Sequence, residues 1–456
     1  MKTLINSSYT LVNTLLNENF NNVESIKKDF IETRKLSLDL FSSLQIEDAV
    51  MQSDPFCSPA NWHLAHVTWF FHKILENLGI QIHTDDSLNL SILNSYYQKF
   101  GKLIQKSNRG MLPRPTVKEM LSYRKKLDQS MSDYLIANKN TNAESNYLVN
   151  LAIQHEMQHQ ELLLYDLQNY FSQFTDSDDN YRPFRHLPSL SQTKSTLCDV
   201  DIPGGSFELG YMSDEFCYDN ELPSHKVYIE NFNIDVYPIT NREFIEFIED
   251  DGYNTYKYWL SDGWDVVSKQ NWISPLYWVE KNGTWYKKDF RGLLPVVYDE
   301  PVVNVSYYEA SAYACYKNKR LPTEAEWEKA SSWNESTNEN TLYPWGNTLP
   351  DLKTANLFNS YLWAPSKIGS YTNGKSFYGC EQMIGDVWEW TSTEYSLYPG
   401  FKSKYDEYTD KWATGQKVLK GGSFATHNKQ IRNSYRNYFR PEDRILFSGF
   451  RCVKDL

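Results

Sequence analysis

The chain has 456 residues and a formal net charge of −12, from 46 basic and 58 acidic side chains. That length exceeds one comfortable core and predicts two domains, while the acidic balance offers no cationic face for a nucleic-acid backbone, so small-molecule partners are expected. The opening stretch MKTLINSSYTLVNTLLNENF is too polar for a signal-peptide core, and no apolar run reaches membrane-spanning length, which reads as a soluble, cytoplasmic chain without a membrane partner.

Up to about residue 170, apolar residues recur at i, i+3 and i+4 and glycine is sparse, which predicts four main helices. One is expected to begin near Ser58-Pro59, with proline at the first helical position, and to run through NWHLAHVTWFFHKILENLG to a stop at Gly79. RGMLPRPT reads as a loop, and a further helix follows Thr116. The next spans about Glu144–Phe171, with Leu148, Leu151, Ala152, His155, His159, Leu162 and Leu163 on one inward stripe. Residues 172–200 are polar and proline-punctuated and read as a linker. From Asp201 to the end the pattern changes to short strands, Gly and Pro turns and aromatic islands, with helices near 240–250, 306–318 and 323–331. The expected organisation is a helical domain over 1–171, a linker over 172–200 and a mixed domain over 201–456.

Six cysteines, Cys57, Cys198, Cys217, Cys315, Cys380 and Cys452, stand without C-x-x-C spacing and read as reduced thiols. Phe, Trp and Tyr make up 15% of the chain, which suits aromatic-walled pockets and dense core packing equally. No internal repeat and no phosphate-cradling glycine loop is present.

QHEMQHQELL, residues 154–163, sets His155 and His159 one helical turn apart on an otherwise apolar face. Burying two imidazoles without a partner is costly, so this pair is read as a metal site. A third ligand is expected from another helix, and WHLAH offers His63 and His66, between which spacing does not choose. His72, His83, His186 and His225 read as surface or structural residues. A zinc-protease reading would make Glu156 the general base, but Leu162 and Tyr165 stand where a metzincin has its glycine and third histidine.

These residues, with NWHLAHVTWFF, NSYYQKFGKLIQKSNRGMLPRPTVKEMLSYR, HEMQHQELLL, IPGGSFELG, YPITNREF, PVVNVSYYEASAYA, KRLPTEAEWEKA, YPWGN, IGDVWEWTSTEY, VLKGGSF and RNYFRPEDRILFSGFRC, resemble the nonhaem-iron sulfoxide synthases of ergothioneine biosynthesis over nearly the whole chain. The resemblance implies an α+β protein in which a DinB-like four-helix bundle precedes a formylglycine-generating-enzyme-like domain, a variant of the C-type lectin fold. It implies Fe(II) held by His66, His155 and His159, with O2 as co-substrate and His63 beside the metal ligands. Gln158 would lie near the imidazole substrate, Arg109 and Arg114 would receive the thiol substrate's carboxylate, and Asn437, Tyr438 and Phe439 would form a wall for a trimethylammonium group. Tyr96 and Tyr97 match a tyrosine pair that supplies a proton beside the iron; adjacent helical side chains diverge by about 100°, which favours one donor, assigned to Tyr97. Tyr398 lies near the position from which another branch draws its tyrosine.

The implied reaction joins cysteine or γ-glutamylcysteine to the imidazole C2 of hercynine as a sulfoxide. Phe439 and Asp443 stand where the γ-glutamylcysteine branch carries an Asp and an Arg, which with the tyrosine pair implies the cysteine-accepting branch. GGSFATHNKQIRNSYRN holds no cysteine pair, so the copper chemistry of formylglycine-generating enzymes is not expected. Other readings remain compatible with the sequence: a relative acting on unmodified histidine or using selenium, a bundle-type metal-dependent thiol transferase, or a lectin-like binding module without catalysis.

Overall fold

The computed structural model describes residues 23–82, 88–94, 103–138, 143–173, 198–213, 216–404 and 409–456. The chain divides into two compact units, and the division is not continuous in sequence: the first takes Met1–Thr175 together with Ser213–Asp219 and Lys402–Lys411, the second the remainder.

Among the described residues the first unit holds four long helices, α1 (Val23–Ser42), α2 (Ala60–Asn77), α3 (Val117–Ala137) and α4 (Ala143–Ser172), with a short helix at Ile46–Val50. On α3 the buried residues Val117, Met120, Tyr123, Arg124, Leu127, Met131 and Leu135 recur every three or four positions, the stripe of a helix packed on one side. Every residue of α2 from Ala60 to His72 is buried, so this helix is enclosed by its neighbours on all sides. Thr116 caps α3: its hydroxyl accepts from the Glu119 amide, while the Glu119 carboxylate accepts from the Thr116 amide. Pro59, expected at the first helical position of α2, is instead the cap, with its carbonyl accepting from the Trp62 and His63 amides. Gly79 ends the same helix in the left-handed region, at φ 82°.

The second unit is built from short strands and four helices among its described residues. Strands β1 (Asp199–Ile202), β4 (Phe232–Asp235) and β14 (Val453–Asp455) form one antiparallel sheet in the order β1-β4-β14, and β2 (Gly205–Leu209) pairs with β3 (His225–Ile229). A meander follows, of β5 (Trp278–Lys281), β6 (Thr284–Asp289) and β7 (Gly292–Pro295), then a small pair, β8 (Trp333–Asn334) with β9 (Glu339–Asn340). The central sheet has the order β12-β11-β10-β13, with β10 Trp388–Glu394, β11 Lys417–Lys420, β12 Asn437–Phe439 and β13 Ser448–Gly449.

Three of the four helices, α5 (Asn241–Glu249), α7 (Tyr307–Tyr316) and α8 (Glu324–Ser332), start at capping boxes: Thr240 with Glu243, Ser306 with Glu309, Thr323 with Glu326. The fourth, α6 (Ser261–Gln270), was not foreseen; it buries only Gly263 and Val267 and so carries little periodic signal. Arg451 makes a two-pronged pair with Glu389 (2.7 and 2.8 Å), whose carboxylate also accepts from the Trp327 indole at 2.8 Å, tying β10, α8 and the C-terminal strand region together. Gly385, at φ 87°, can only be glycine, because a Cβ there would stand 2.3 Å from the Asn356 carbonyl oxygen. All six cysteines are free thiols, as their spacing predicted.

Candidate metal centre

The inward stripe of α4 brings His155 and His159 against His66 on α2, and one nitrogen from each imidazole lies within 4.8 Å of the other two. All three side chains are buried. The ring of His66 stands 4.8 Å from that of His159 and 5.2 Å from that of His155.

Burial, followed by the neighbouring His155, holds His66 well below the usual imidazole range; burial likewise holds His155 at about 3 and, with His155 and His66 adding to it, pushes His159 well down. The three rings are therefore neutral near neutral pH, the form in which imidazole ligates a metal.

His66 Nδ1 donates to the Leu93 carbonyl at 2.7 Å, which makes Nε2 the lone-pair nitrogen. That Nε2 atom and His155 Nδ1 are buried with no hydrogen-bond partner among the described residues. A buried acceptor left without a donor costs on the order of 1–3 kcal/mol, and a cation at the centre of the trio removes that cost for a lone-pair nitrogen. Three imidazoles leave positions open on an octahedral ion, and the donor set suits iron, cobalt or zinc.

His63, the other histidine of WHLAH, is not a member of the trio but contacts it. Its Nδ1 lies 2.9 Å from Nδ1 of His159 and its Nε2 lies 2.9 Å from Asp166 Oδ2, which also accepts from the Ser58 amide at 2.8 Å. Asp166 was not singled out in the sequence, although it follows His159 by seven positions and so shares its stripe. Glu156 points away from the histidines: its carboxylate accepts from Arg34 at 2.7 Å, Arg124 at 2.5 Å and Ser37 at 2.6 Å. Although burial pushes its pKa up, Arg124 and then Arg34 bring it down to about 2. A carboxylate committed to two buried arginines is not a general base, which removes the protease reading.

The arginines of RGMLPRPT part company. Arg109 is buried, its guanidinium 3.5 Å above the Trp62 ring and donating to Ser58 Oγ at 2.8 Å. Arg114 is exposed and lies 3.7 Å from Glu119. Gln158 is half-buried on α4. Tyr96 and Tyr97 lie outside the described residues, as do His83 and His186, whereas His72 is a buried structural residue paired with the Tyr123 hydroxyl at 2.8 Å. His225 contacts the Tyr398 ring edge-on at 4.6 Å.

In the second unit, Asn437, Tyr438 and Phe439 form β12 and are half-buried. Tyr438 stacks on Tyr395 at 3.9 Å between ring centroids. The Tyr398 hydroxyl donates to Glu324 at 3.2 Å, and burial, then the nearby Glu324 against the opposing pull of Arg436, raises it well above the usual phenol range.

Residues 185–456 match the family model described as sulfatase-modifying factor enzyme 1-like domain, which defines the class of the strand-rich unit. The hercynine oxygenase of Mycolicibacterium smegmatis is 36% identical over 323 residues, covering 67% of this chain and 71% of that protein. The hercynine oxygenase of Mycobacterium tuberculosis is 40% identical over 247 residues, 54% of this chain and 57% of that one. A formylglycine-generating enzyme of Thermomonospora curvata is 31% identical over 308 residues, 59% of this chain and 97% of that one. The chain belongs to the hercynine oxygenase family, and in it a helical N-terminal region precedes a domain of the sulfatase-modifying-factor type. Among the described residues no helix is long and apolar enough to cross a membrane.

Proposed function

We propose that this protein is an iron- and dioxygen-dependent sulfoxide synthase that joins the thiol of cysteine to the imidazole C2 of hercynine. The observation that carries the reading is the buried trio His66, His155 and His159, with one nitrogen from each within 4.8 Å of the other two, in a chain of this family. The overall change balances as thiol plus imidazole C–H plus O2 giving sulfoxide plus water: one S–H and one C–H bond break, a C–S and an S–O bond form, and dioxygen takes up the four electrons. Bound by the trio, a redox-active divalent ion supplies the electron transfer that lets dioxygen react with a thiol and an aromatic ring.

The protein's own residues bind and orient. Arg109, immobilised on Trp62, offers a rigid guanidinium to the thiol substrate's carboxylate, with Arg114 as an outer partner. Gln158 faces the imidazole substrate. In the second unit, Asn437, Tyr438 and Phe439 are assigned to recognition of a trimethylammonium group, and the Tyr438–Tyr395 stack offers the aromatic faces a quaternary cation prefers. Tyr97 supplies the proton. Phe439 and Asp443, standing where the γ-glutamylcysteine branch carries an Asp and an Arg, support free cysteine over a γ-glutamyl dipeptide as thiol donor.

The test is anaerobic incubation of the protein with Fe(II), hercynine and either cysteine or γ-glutamylcysteine, then admission of oxygen and mass spectrometry. A hercynyl-cysteine sulfoxide formed only with oxygen supports the reading. No sulfoxide after oxygen is admitted would overturn it, and the γ-glutamyl adduct would reassign the donor. In the same assay Tyr97→Phe should divert thiol to sulfinate; sulfoxide at the wild-type rate with no added sulfinate would remove Tyr97 from the mechanism.

A further inference from the structure

We infer that Asp166 and His63 are positioning residues that fix the tautomer and tilt of His159, so that its Nε2 lone pair meets the metal. The inference rests on the metal reading of the trio but adds two residues that bind neither substrate nor ion.

A carboxylate oxygen only accepts, so His63 carries its proton on Nε2, 2.9 Å from Asp166 Oδ2. Its Nδ1 is then a lone pair. Across the 2.9 Å contact between the two Nδ1 atoms, His159 must be the donor, and its own lone pair is left on Nε2. The Asp166 oxygen is itself pinned by the Ser58 amide at 2.8 Å, just ahead of α2, so the relay ties the start of α2 to the later turns of α4. With its last tautomeric choice removed, His159 matches His66, whose Nδ1–H is spent on the Leu93 carbonyl. Two ligands on different helices thus acquire the same Nε2-ligating form from different outer partners. Outer partners of this kind commonly account for 10- to 100-fold in metal affinity.

The alternative is that the buried Asp166–His63 pair only packs the bundle. The two readings separate in the full-length metal-free protein titrated anaerobically with Co(II), followed by its ligand-field absorption, beside the thermal midpoint of the metal-free form. His63→Leu removes the acceptor for His159 Nδ1–H and should weaken Co(II) binding at least ten-fold. His63→Gln keeps a carbonyl oxygen that can accept the same proton and should recover most of that loss, whatever the two variants do to the midpoint. Asp166→Asn keeps an acceptor but loses its charge, and should weaken binding by several-fold. Co(II) affinity in His63→Leu equal to wild type, or a His63→Gln variant as weak as His63→Leu, would overturn the relay. Failure of the wild-type protein to bind Co(II) would overturn the metal centre, and the relay with it.

Discussion

The indole of Trp62 lies 4.7 Å from the imidazole of His66 and within 10° of parallel to it. His66 also stacks with Trp69 at 5.7 Å, and Arg109 sits on Trp62 at 3.5 Å, so guanidinium, indole and imidazole are linked through successive ring contacts. Trp62 thus contacts both the residue expected to read a substrate carboxylate and a residue expected to hold the metal. A desolvated cation–π contact contributes about 2 kcal/mol. Trp62→Leu should therefore raise KM for the thiol substrate roughly ten-fold or more and weaken Co(II) binding, both measurable on one preparation. A change in neither would mean that the stack is only packing.

Arg109 and Arg114 make a graded prediction. Arg109 is buried and preorganised, whereas Arg114 is exposed and close to Glu119. Charge-assisted hydrogen bonds contribute about 1.5–3 kcal/mol, so Arg109→Gln should raise KM for cysteine by roughly 10- to 100-fold. Arg114→Gln should change it by no more than a few-fold, since surface pairs contribute little. Steady-state oxygen consumption against cysteine concentration measures both, and the reverse order would assign the carboxylate to Arg114.

Removing the metal should abolish turnover while leaving the fold in place. The helices that carry the trio are packed through buried apolar side chains such as Leu64, Val67, Leu151 and Leu163, and Phe70 covers His155 at 4.3 Å between ring centroids. Chelation should leave the helical circular dichroism unchanged, and Fe(II) should restore oxygen-dependent product. His155→Ala should lose both metal and product; unaltered hercynine affinity and unaltered turnover in that variant would make the histidines incidental.

Glu156 is a stability residue despite its place inside HEMQH. Glu156→Gln leaves Arg34 and Arg124 facing a neutral amide in a buried site, and loss of one partner of such a group costs about 3–5 kcal/mol. Urea unfolding should show that loss, followed by α-helical signal. A variant as stable as wild type would mean that the arginines find other acceptors, such as Asp128, which already accepts from Arg34 at 2.7 Å.

The same carboxylate sets an acid response. Its pKa falls from 4.5 to about 2 on folding, so the unfolded chain takes up the proton first. The stabilisation is complete above about pH 4.5 and is lost as pH falls towards 2, amounting to about 3 kcal/mol at 1.36 kcal/mol per unit. The stability gap between wild type and Glu156→Gln should accordingly narrow as pH is lowered through that window. A constant gap would place the acid response on other groups.

Helix positions were legible where a local rule applied. Thr116 and Glu119 marked the start of α3, Gly79 the end of α2, and the recurrence of Leu148, Leu151, Ala152, His155 and His159 set the inward face of α4. The short helix α6 was missed because two buried residues make no stripe. Pro59 was displaced by one position because a proline suits both the cap and the first turn, and the carbonyl it offers to Trp62 and His63 decides between them.

The sequence by itself determined that two imidazoles would share one face of a helix and would need a partner, because helical periodicity and the cost of desolvation are local matters. It left His63 and His66 equal, since residues three apart on a helix both reach the same side. Only the packing of α2 against α4 separated them: it set His66 against the other two rings and gave His63 to Asp166, a contact spanning 103 positions of chain. The same packing turned Glu156 towards Arg34 and Arg124, residues contributed by α1 and α3 that no spacing within HEMQH could anticipate. Which nitrogen faces a metal is decided by what lies behind the ring, and that neighbour belongs to the tertiary structure.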